Sequence, residues 1–348
     1  MNNPNKCKWC KSNNISIINQ AISKYKKNIY NFYYCHDCEI KFAFTKAKKN
    51  KIDYQKIQIN HFGYINHNAD NKWIKSMFDC KDQNFSIKQM YDFLSTKTMD
   101  QRYISAIDIS QNAFIKKKKL EILEVGCNLG YVGALFIRQN HNYLGIDIQK
   151  KAINSAKKNY GNKNYINIKL ENLHQKIKKK KFDLICSFEV IEHLEDPLNF
   201  ILEIKKYLKK DGQILLTTPN GNFIPKDKWF SDRPPIHFSL FKEKTFKYLE
   251  KNNFKVKFLN NFRLSSNIFY SRKLFLNFNS KTIPSTDPEN KNFIYSYKLE
   301  KRYYRKNFNL QRLVILIKTS LSFISSFFNI SPFATELVIN LKKTSNKS

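Results

Sequence analysis

Leu120-Glu121-Ile122-Leu123-Glu124-Val125-Gly126-Cys127-Asn128-Leu129-Gly130-Tyr131 decides the fold of this 348-residue chain. An apolar run of strand length enters a turn with two glycines, and helical periodicity follows from Tyr131 to Gln139. Glycines at a strand-to-helix turn let the backbone come close to a ligand. Outward from this stretch, strands and helices alternate. Strands are predicted over Leu120–Val125, Tyr143–Asp147, Tyr165–Leu170, Phe182–Ser187 and Gln213–Thr218, and helices over Tyr131–Gln139, Lys150–Asn159 and Pro197–Lys209. Such alternation signals a parallel sheet covered on both faces. Asp211-Gly212 reads as a turn returning the chain to the sheet. A helix near Lys242–Lys251 and strands Phe254–Asn260 and Glu336–Leu341 complete it, the last two as an antiparallel edge.

The second strand ends in Asp147, at the spacing where a carboxylate takes the two hydroxyls of a ribose. A nicotinamide dinucleotide would suit the pattern this far. Asn128, however, stands where that fingerprint wants glycine against the pyrophosphate. Asn tolerates a left-handed backbone, so the turn itself is expected to survive.

Glu189-Val190-Ile191-Glu192-His193 follows the fourth strand. At helical spacing, positions i, i+3 and i+4 share a face, so Glu189, Glu192 and His193 are expected to converge. A second imidazole, His237, follows Arg233-Pro234-Pro235-Ile236, a stiff approach. Three readings stand side by side. The four residues hold a divalent cation, Mg²⁺ or Mn²⁺ given two carboxylates. His193 acts as a general base without metal. Or Glu192 and His193 cap and pack the next helix. His61, His67, His141 and His174 fall in no constellation, and Asp183 reads as a structural acid.

Cys7-Lys8-Trp9-Cys10 and Cys35-His36-Asp37-Cys38 are two Cys-x-x-Cys pairs at the spacing of a four-thiolate zinc ribbon, with Ile29 to Tyr34 as a strand feeding the second pair. With all four positions filled, the zinc would be structural, and His36 would lie outside its shell. Cys80, Cys127 and Cys186 read as buried thiols. The expected organisation is a ribbon over 1–44, a helical linker or cap over 45–119, and a Rossmann-like, doubly wound α/β domain over 120–348. Its sheet is seven-stranded and mostly parallel, with an insertion at about 262–332. The apolar run Leu313–Phe328 in that insertion is broken by Lys318 and serines, which suits a pocket-covering helix or peripheral membrane contact rather than a span.

Hydrophobic residues make up 42%, enough for a core without staples. No apolar stretch follows Met1, so a cytoplasmic chain without disulfides is expected, with the inner membrane face as its one peripheral site. The formal net charge is +34. Lys, Asn, Ile, Phe and Tyr are over-used together while Arg is scarce, the pattern of an A+T-rich genome rather than of a dedicated nucleic-acid surface. The field still favours anionic ligands.

Glu124–Gly130, Asp147, Phe182–Leu194 and Leu216–Asn220 together resemble a class I S-adenosylmethionine-dependent methyltransferase, over about Leu120 to Lys257 plus the last strand. The resemblance implies that Glu124, Gly126, Cys127, Asn128, Gly130, Asp147 and Ile148 bind the cofactor. Of these, Gly126, Asn128 and Gly130 would line the methionine part and Asp147 would bind ribose; Asn172 and Leu173 would flank adenine and Ser187 would lie near the sulfonium. Glu189, Glu192, His193 and His237, with Thr218-Pro219-Asn220, are similar to O-methyltransferases of ubiquinone-precursor and small-RNA type, in which such residues surround a divalent cation. An N-terminal ribbon ahead of this core resembles bacterial methyltransferases of sugar and surface-glycan biosynthesis. Relatives that methylate sugar carbon carry a further large C-terminal domain, for which this chain is expected to be too short. The implied activity is O-methylation of a sugar or polyol hydroxyl, on a small-molecule or glycan acceptor that is free, nucleotide-linked or lipid-linked. RNA methylation and a non-catalytic binding module are the alternatives.

Overall fold

In the computed structural model, the described residues are 4–22, 29–44, 119–223, 234, 236–259 and 336–344. The expected cap before Lys119, the insertion at about 262–332, and His61, His67 and Cys80 lie outside them.

The chain opens with strands β1 (Ile15–Ile22), β2 (Ile29–Cys35) and β3 (Lys41–Phe44). The core then runs through β4 (Glu121–Val125), α1 (Tyr131–Arg138), β5 (Asn142–Asp147), α2 (Lys150–Tyr160), β6 (Tyr165–Asn167) and the single turn α3 (His174–Ile177). It continues with β7 (Phe182–Phe188), α4 (Pro197–Lys205), β8 (Leu208–Pro219), β9 (Ser239–Leu240), α5 (Glu243–Lys247), β10 (Phe254–Phe258) and β11 (Glu336–Lys343).

The seven expected core strands form one sheet in the order β10-β11-β8-β7-β4-β5-β6. β4 to β8 are mutually parallel where they pair, and β11 runs antiparallel to both β8 and β10. The winding reverses between β4 and β7, and ligands of open α/β sheets bind at the carboxyl ends of the strands flanking such a reversal. Gly126–Gly130 leaves β4 there, and Glu189–His193 leaves β7 beside it.

Strand periodicity of two divides the core. Ile122, Leu184, Cys186, Leu215 and Val338 face a layer with Phe136, Ala152, Ala156 and Tyr160 of α1 and α2. Leu123, Ile185, Ile214, Leu216 and Ile339 face the other layer, with Leu198, Ile201 and Ile204 of α4, Phe246 of α5, and Trp9 and Phe42 of the ribbon. Both faces are covered, which is why these strands read as unbroken apolar runs.

Among the boundaries that differ from expectation, three have a visible cause. β6 stops at Asn167 because its neighbour β5 ends at Asp147, their last pairing being Asp147 with Asn167. α4 ends at Lys205; its start is fixed by Asp196, whose Oδ1 accepts from the Asn199 amide at 3.1 Å, and by Pro197 in the first turn. Asp211-Gly212 lies inside β8. Phe182 pairs with Leu208 and Leu184 with Gln213, so the extra residues form a bulge in the strand.

β1, β2, β3 and β9 make a second, four-stranded antiparallel sheet. This ribbon and the large sheet lie in one compact unit; a second unit, 53–70 and 260–334, is outside the described residues. Among the described residues no helix is long and apolar enough to cross a membrane.

Candidate functional site

The turn after β4 is built on left-handed backbone. Gly126 and Gly130 have φ of 81° and Asn128 of 45°, so the Asn substitution is tolerated as expected. The amides of Gly126 and Cys127 donate to the Ile146 carbonyl at 2.8 and 3.1 Å, which ties the turn to β5. A Cβ on Gly126 would stand 2.5 Å from Val190 Cγ2, so the turn after β4 packs directly on the turn after β7.

Asp147 closes β5. Its Oδ2 accepts from the Asn128 amide at 3.0 Å and its Oδ1 from the Gln149 amide at 2.7 Å. Burial pushes this carboxyl up, and the amides of Gln149, Asn128 and Ile148 pull it back toward the ionised form. Ile148, 49% exposed beside it, offers an apolar platform.

Four residues of the expected cofactor set are occupied in the interior. Glu124 accepts from the Tyr143 hydroxyl at 2.5 Å, and Ser187 donates to the Val125 carbonyl at 3.0 Å. Cys127 is buried, which pushes its thiol up. Leu173 is fully buried in the second core layer, whereas its neighbour Asn172 is exposed.

The turn after β7 departs from the helical-face expectation. β7 ends at Phe188, Glu189 adopts a left-handed φ of 53°, and only Ile191–His193 form a short 3₁₀ turn. Without helix between them, the helical spacing that would put Glu189 on one face with Glu192 and His193 is lost. The structure instead gathers Glu192, His193 and His237, with ligand-capable atoms of all three within 4.8 Å of one another. The rings of His193 and His237 stand 4.7 Å apart, and His193 Nε2 lies 3.9 Å from Glu192 Oε1. Glu192 is buried and its Oε2 accepts from Thr218 Oγ1 at 3.0 Å. His193 Nδ1 is 2.8 Å from the Ile236 carbonyl. A carbonyl only accepts, so Nδ1 carries the proton and the neutral ring presents Nε2 as a lone pair. The carbonyl of Ile236 and the amide of Phe238, which donates to the Glu192 carbonyl at 2.7 Å, have no sequence signal. Thr218 could be found only as part of Thr218-Pro219-Asn220.

The remaining candidates are structural. His141 Nδ1 accepts from the Leu120 amide at 3.2 Å, and His174 Nδ1 sits 2.9 Å from the Glu171 carbonyl. Asp183 accepts from the Glu121 amide and from Lys209, at 2.9 and 2.8 Å. Cys186 is a buried thiol.

Cys7, Cys10, Cys35 and Cys38 form a second cluster, their sulfurs within 4.8 Å of one another. Two edges measure 3.7 and 3.5 Å, close to the ~3.8 Å edge of a tetrahedron with zinc–sulfur bonds of about 2.3 Å. The two turns repeat each other. Lys11 and Glu39, each just after its pair, have φ of 63° and 62°, and their amides donate to the carbonyls of Cys7 and Cys35 at 3.1 and 2.8 Å. The donor set and spacing therefore fit zinc, with His36 outside and bonded to Ser16. If zinc is bound, elemental analysis should give about one ion per chain, and Cys35→Ser should lose it. A zinc-free wild type with an ordered ribbon would contradict the fit.

Residues 97–257 match the family described as a methyltransferase domain. The ubiquinone biosynthesis O-methyltransferase of Pelagibacter ubique (strain HTCC1062) is 32% identical over 162 residues, 45% of this chain and 66% of that protein. The protein of the same name from Rickettsia conorii (strain ATCC VR-613 / Malish 7) is 35% identical over 106 residues, 29% of this chain and 36% of its own. The chain thus spans less than two thirds of the length of these curated relatives. A crystal structure of the plantazolicin methyltransferase BpumL, in complex with a pentazolic desmethylPZN analog and SAH, is 16% identical over 80% of this chain and 99% of that one, with a TM-score of 0.41. Residues 97–257 are thus similar to a methyltransferase domain.

Proposed function

We propose that the chain transfers a methyl group from S-adenosylmethionine to a hydroxyl oxygen, with His193 as the base. The observation that carries this is the polarity of His193. Its N–H is given to the Ile236 carbonyl, so Nε2 is the basic nitrogen of the neutral ring, and the ring stands beside Glu192 and His237, next to the glycine turn.

Bound S-adenosylmethionine supplies an electrophilic methyl: the acceptor oxygen forms the new C–O bond as the C–S bond breaks, and that electron pair stays on sulfur. His193 Nε2 takes the hydroxyl proton. The Glu192 carboxylate, 3.9 Å away, stabilises the imidazolium, and Thr218 fixes that carboxylate. Asp147 and the Gly126–Gly130 turn hold the donor in reach, which is worth more than any one proton transfer.

The relatives' names support oxygen as the atom methylated and give no support to the sugar or polyol acceptor expected from the ribbon. A panel of catechols, nucleotide sugars, glycolipids and RNAs, read by mass spectrometry for a gain of about 14 daltons, tests the reading. Transfer to nitrogen or carbon alone would overturn it.

A second reading has its own observation. A ring N–H given to a backbone carbonyl is also how metal-bound histidines are oriented. With Glu189 outside the cluster, the donors are one carboxylate and two imidazoles, which suits Mn²⁺ or a softer ion better than Mg²⁺. Activity that survives chelation while the ribbon stays folded favours the base; activity restored by Mn²⁺ favours the cation.

A further inference from the structure

We propose that the four-cysteine ribbon positions His193 and His237, through Lys8 and Trp9 acting on the segment Ile236–Phe241. The proposal rests on reading Glu192, His193 and His237 as the reacting end of the crevice. It gives the ribbon a part in the site that its sequence does not announce.

β9 belongs to the domain by sequence but to the ribbon by pairing. Phe42 pairs with Ser239 and Lys41 with Leu240. A two-residue strand has no stability of its own and exists here because β3 offers an edge. The residue just before it, Phe238, is gripped from both sides. Its carbonyl accepts from the Ala43 amide at 2.9 Å and from Lys8 Nζ at 3.1 Å, while its N–H donates to the Glu192 carbonyl. Its N–H and its carbonyl thus bond to different elements, so Phe238 links ribbon and acidic turn in one residue. His237 is its immediate neighbour, and the Ile236 carbonyl one residue further fixes the His193 tautomer.

Trp9 secures the far end. Its Nε1 donates to the Thr245 carbonyl at 2.7 Å, and its ring meets the edges of Phe241 and Phe246 at 5.4 and 5.6 Å. Thr245 Oγ1 donates in return to the Cys38 carbonyl at 2.9 Å, and Glu39 pairs with Lys242 at 2.9 Å. Lys8 and Trp9 are the two residues between Cys7 and Cys10, so the geometry of the four-sulfur centre sets where both point.

The test uses the full chain carrying Lys8→Met or Trp9→Phe, with three readouts: amide exchange over residues 236–241, the imidazole nitrogen resonances of His193 and His237, and affinity for S-adenosylhomocysteine. Losing one directed hydrogen bond should speed exchange in 236–241 by about tenfold. The two imidazoles should move, while exchange in β4 and β7 and the ligand affinity stay as in the wild type. Imidazole resonances unmoved in both variants would overturn the proposal, as would exchange rising equally in β4 and β7. Should Trp9→Phe fail to fold, Lys8→Met decides alone, since it removes an ammonium and keeps the apolar stem. Failure of the wild type to bind S-adenosylhomocysteine would instead undo the methyltransferase reading, with the exchange and resonance results still deciding this one.

Discussion

His193→Ala is expected to lower turnover by roughly 10²–10⁴-fold, the usual worth of a positioned base, and to leave S-adenosylmethionine affinity essentially unchanged. The separation follows from placement: His193 bonds to the Ile236 carbonyl and stands beside Glu192 and His237, while the donor contacts we propose lie at Asp147 and the glycine turn. His193→Asn is the sharper variant. Its amide N–H replaces Nδ1–H against the Ile236 carbonyl but supplies nothing in place of Nε2. It should be as stable as the wild type and as inactive as the alanine variant. Activity retained in both would remove His193 from the chemistry under the base and cation readings alike.

Gly126→Ala is expected to cost about 2–5 kcal/mol of stability and to weaken cofactor binding with it. A non-glycine residue at φ 81° costs roughly 1–2 kcal/mol. Its Cβ, 2.5 Å from Val190 Cγ2, adds roughly 1–3 kcal/mol of overpacking. A double-mutant cycle with Val190→Ala separates the two, because removing Val190 Cγ2 relieves the second cost and leaves the first. Denaturant midpoints provide the measurement. Additive effects of the two substitutions would mean that the turns after β4 and β7 do not bear on each other.

Much of this architecture is legible in the sequence because both faces of the large sheet are covered. Residues such as Leu123 and Ile185 are fully buried, so each strand stands out as an apolar run and each helix as its periodic partner. The cysteine pairs are equally plain, since sulfur geometry fixes their spacing. The helical-face argument at Glu189 failed because it presumed a helix where the chain is leaving a strand. One left-handed residue, Glu189 itself, breaks the helical spacing, and only Ile191–His193 form a turn. Glu192 and His193 still met His237, but through Ile236 and Phe238 backbone groups that carry no residue code. Leu173 was expected at the adenine and instead lies within the core, as an apolar residue at a chain reversal readily does. Least legible was the pairing of β3 with Ser239–Leu240, for two residues are too few to show a period.

We expect Asp147, at the end of β5, to hold an adenosyl donor in the crevice at the carboxyl ends of β4 and β7. Titration calorimetry of the full chain with S-adenosylhomocysteine, beside Asp147→Ala, tests it most directly. Saturable binding to the wild type that the substitution abolishes is the predicted result. No binding, or equal affinity in the variant, would contradict it.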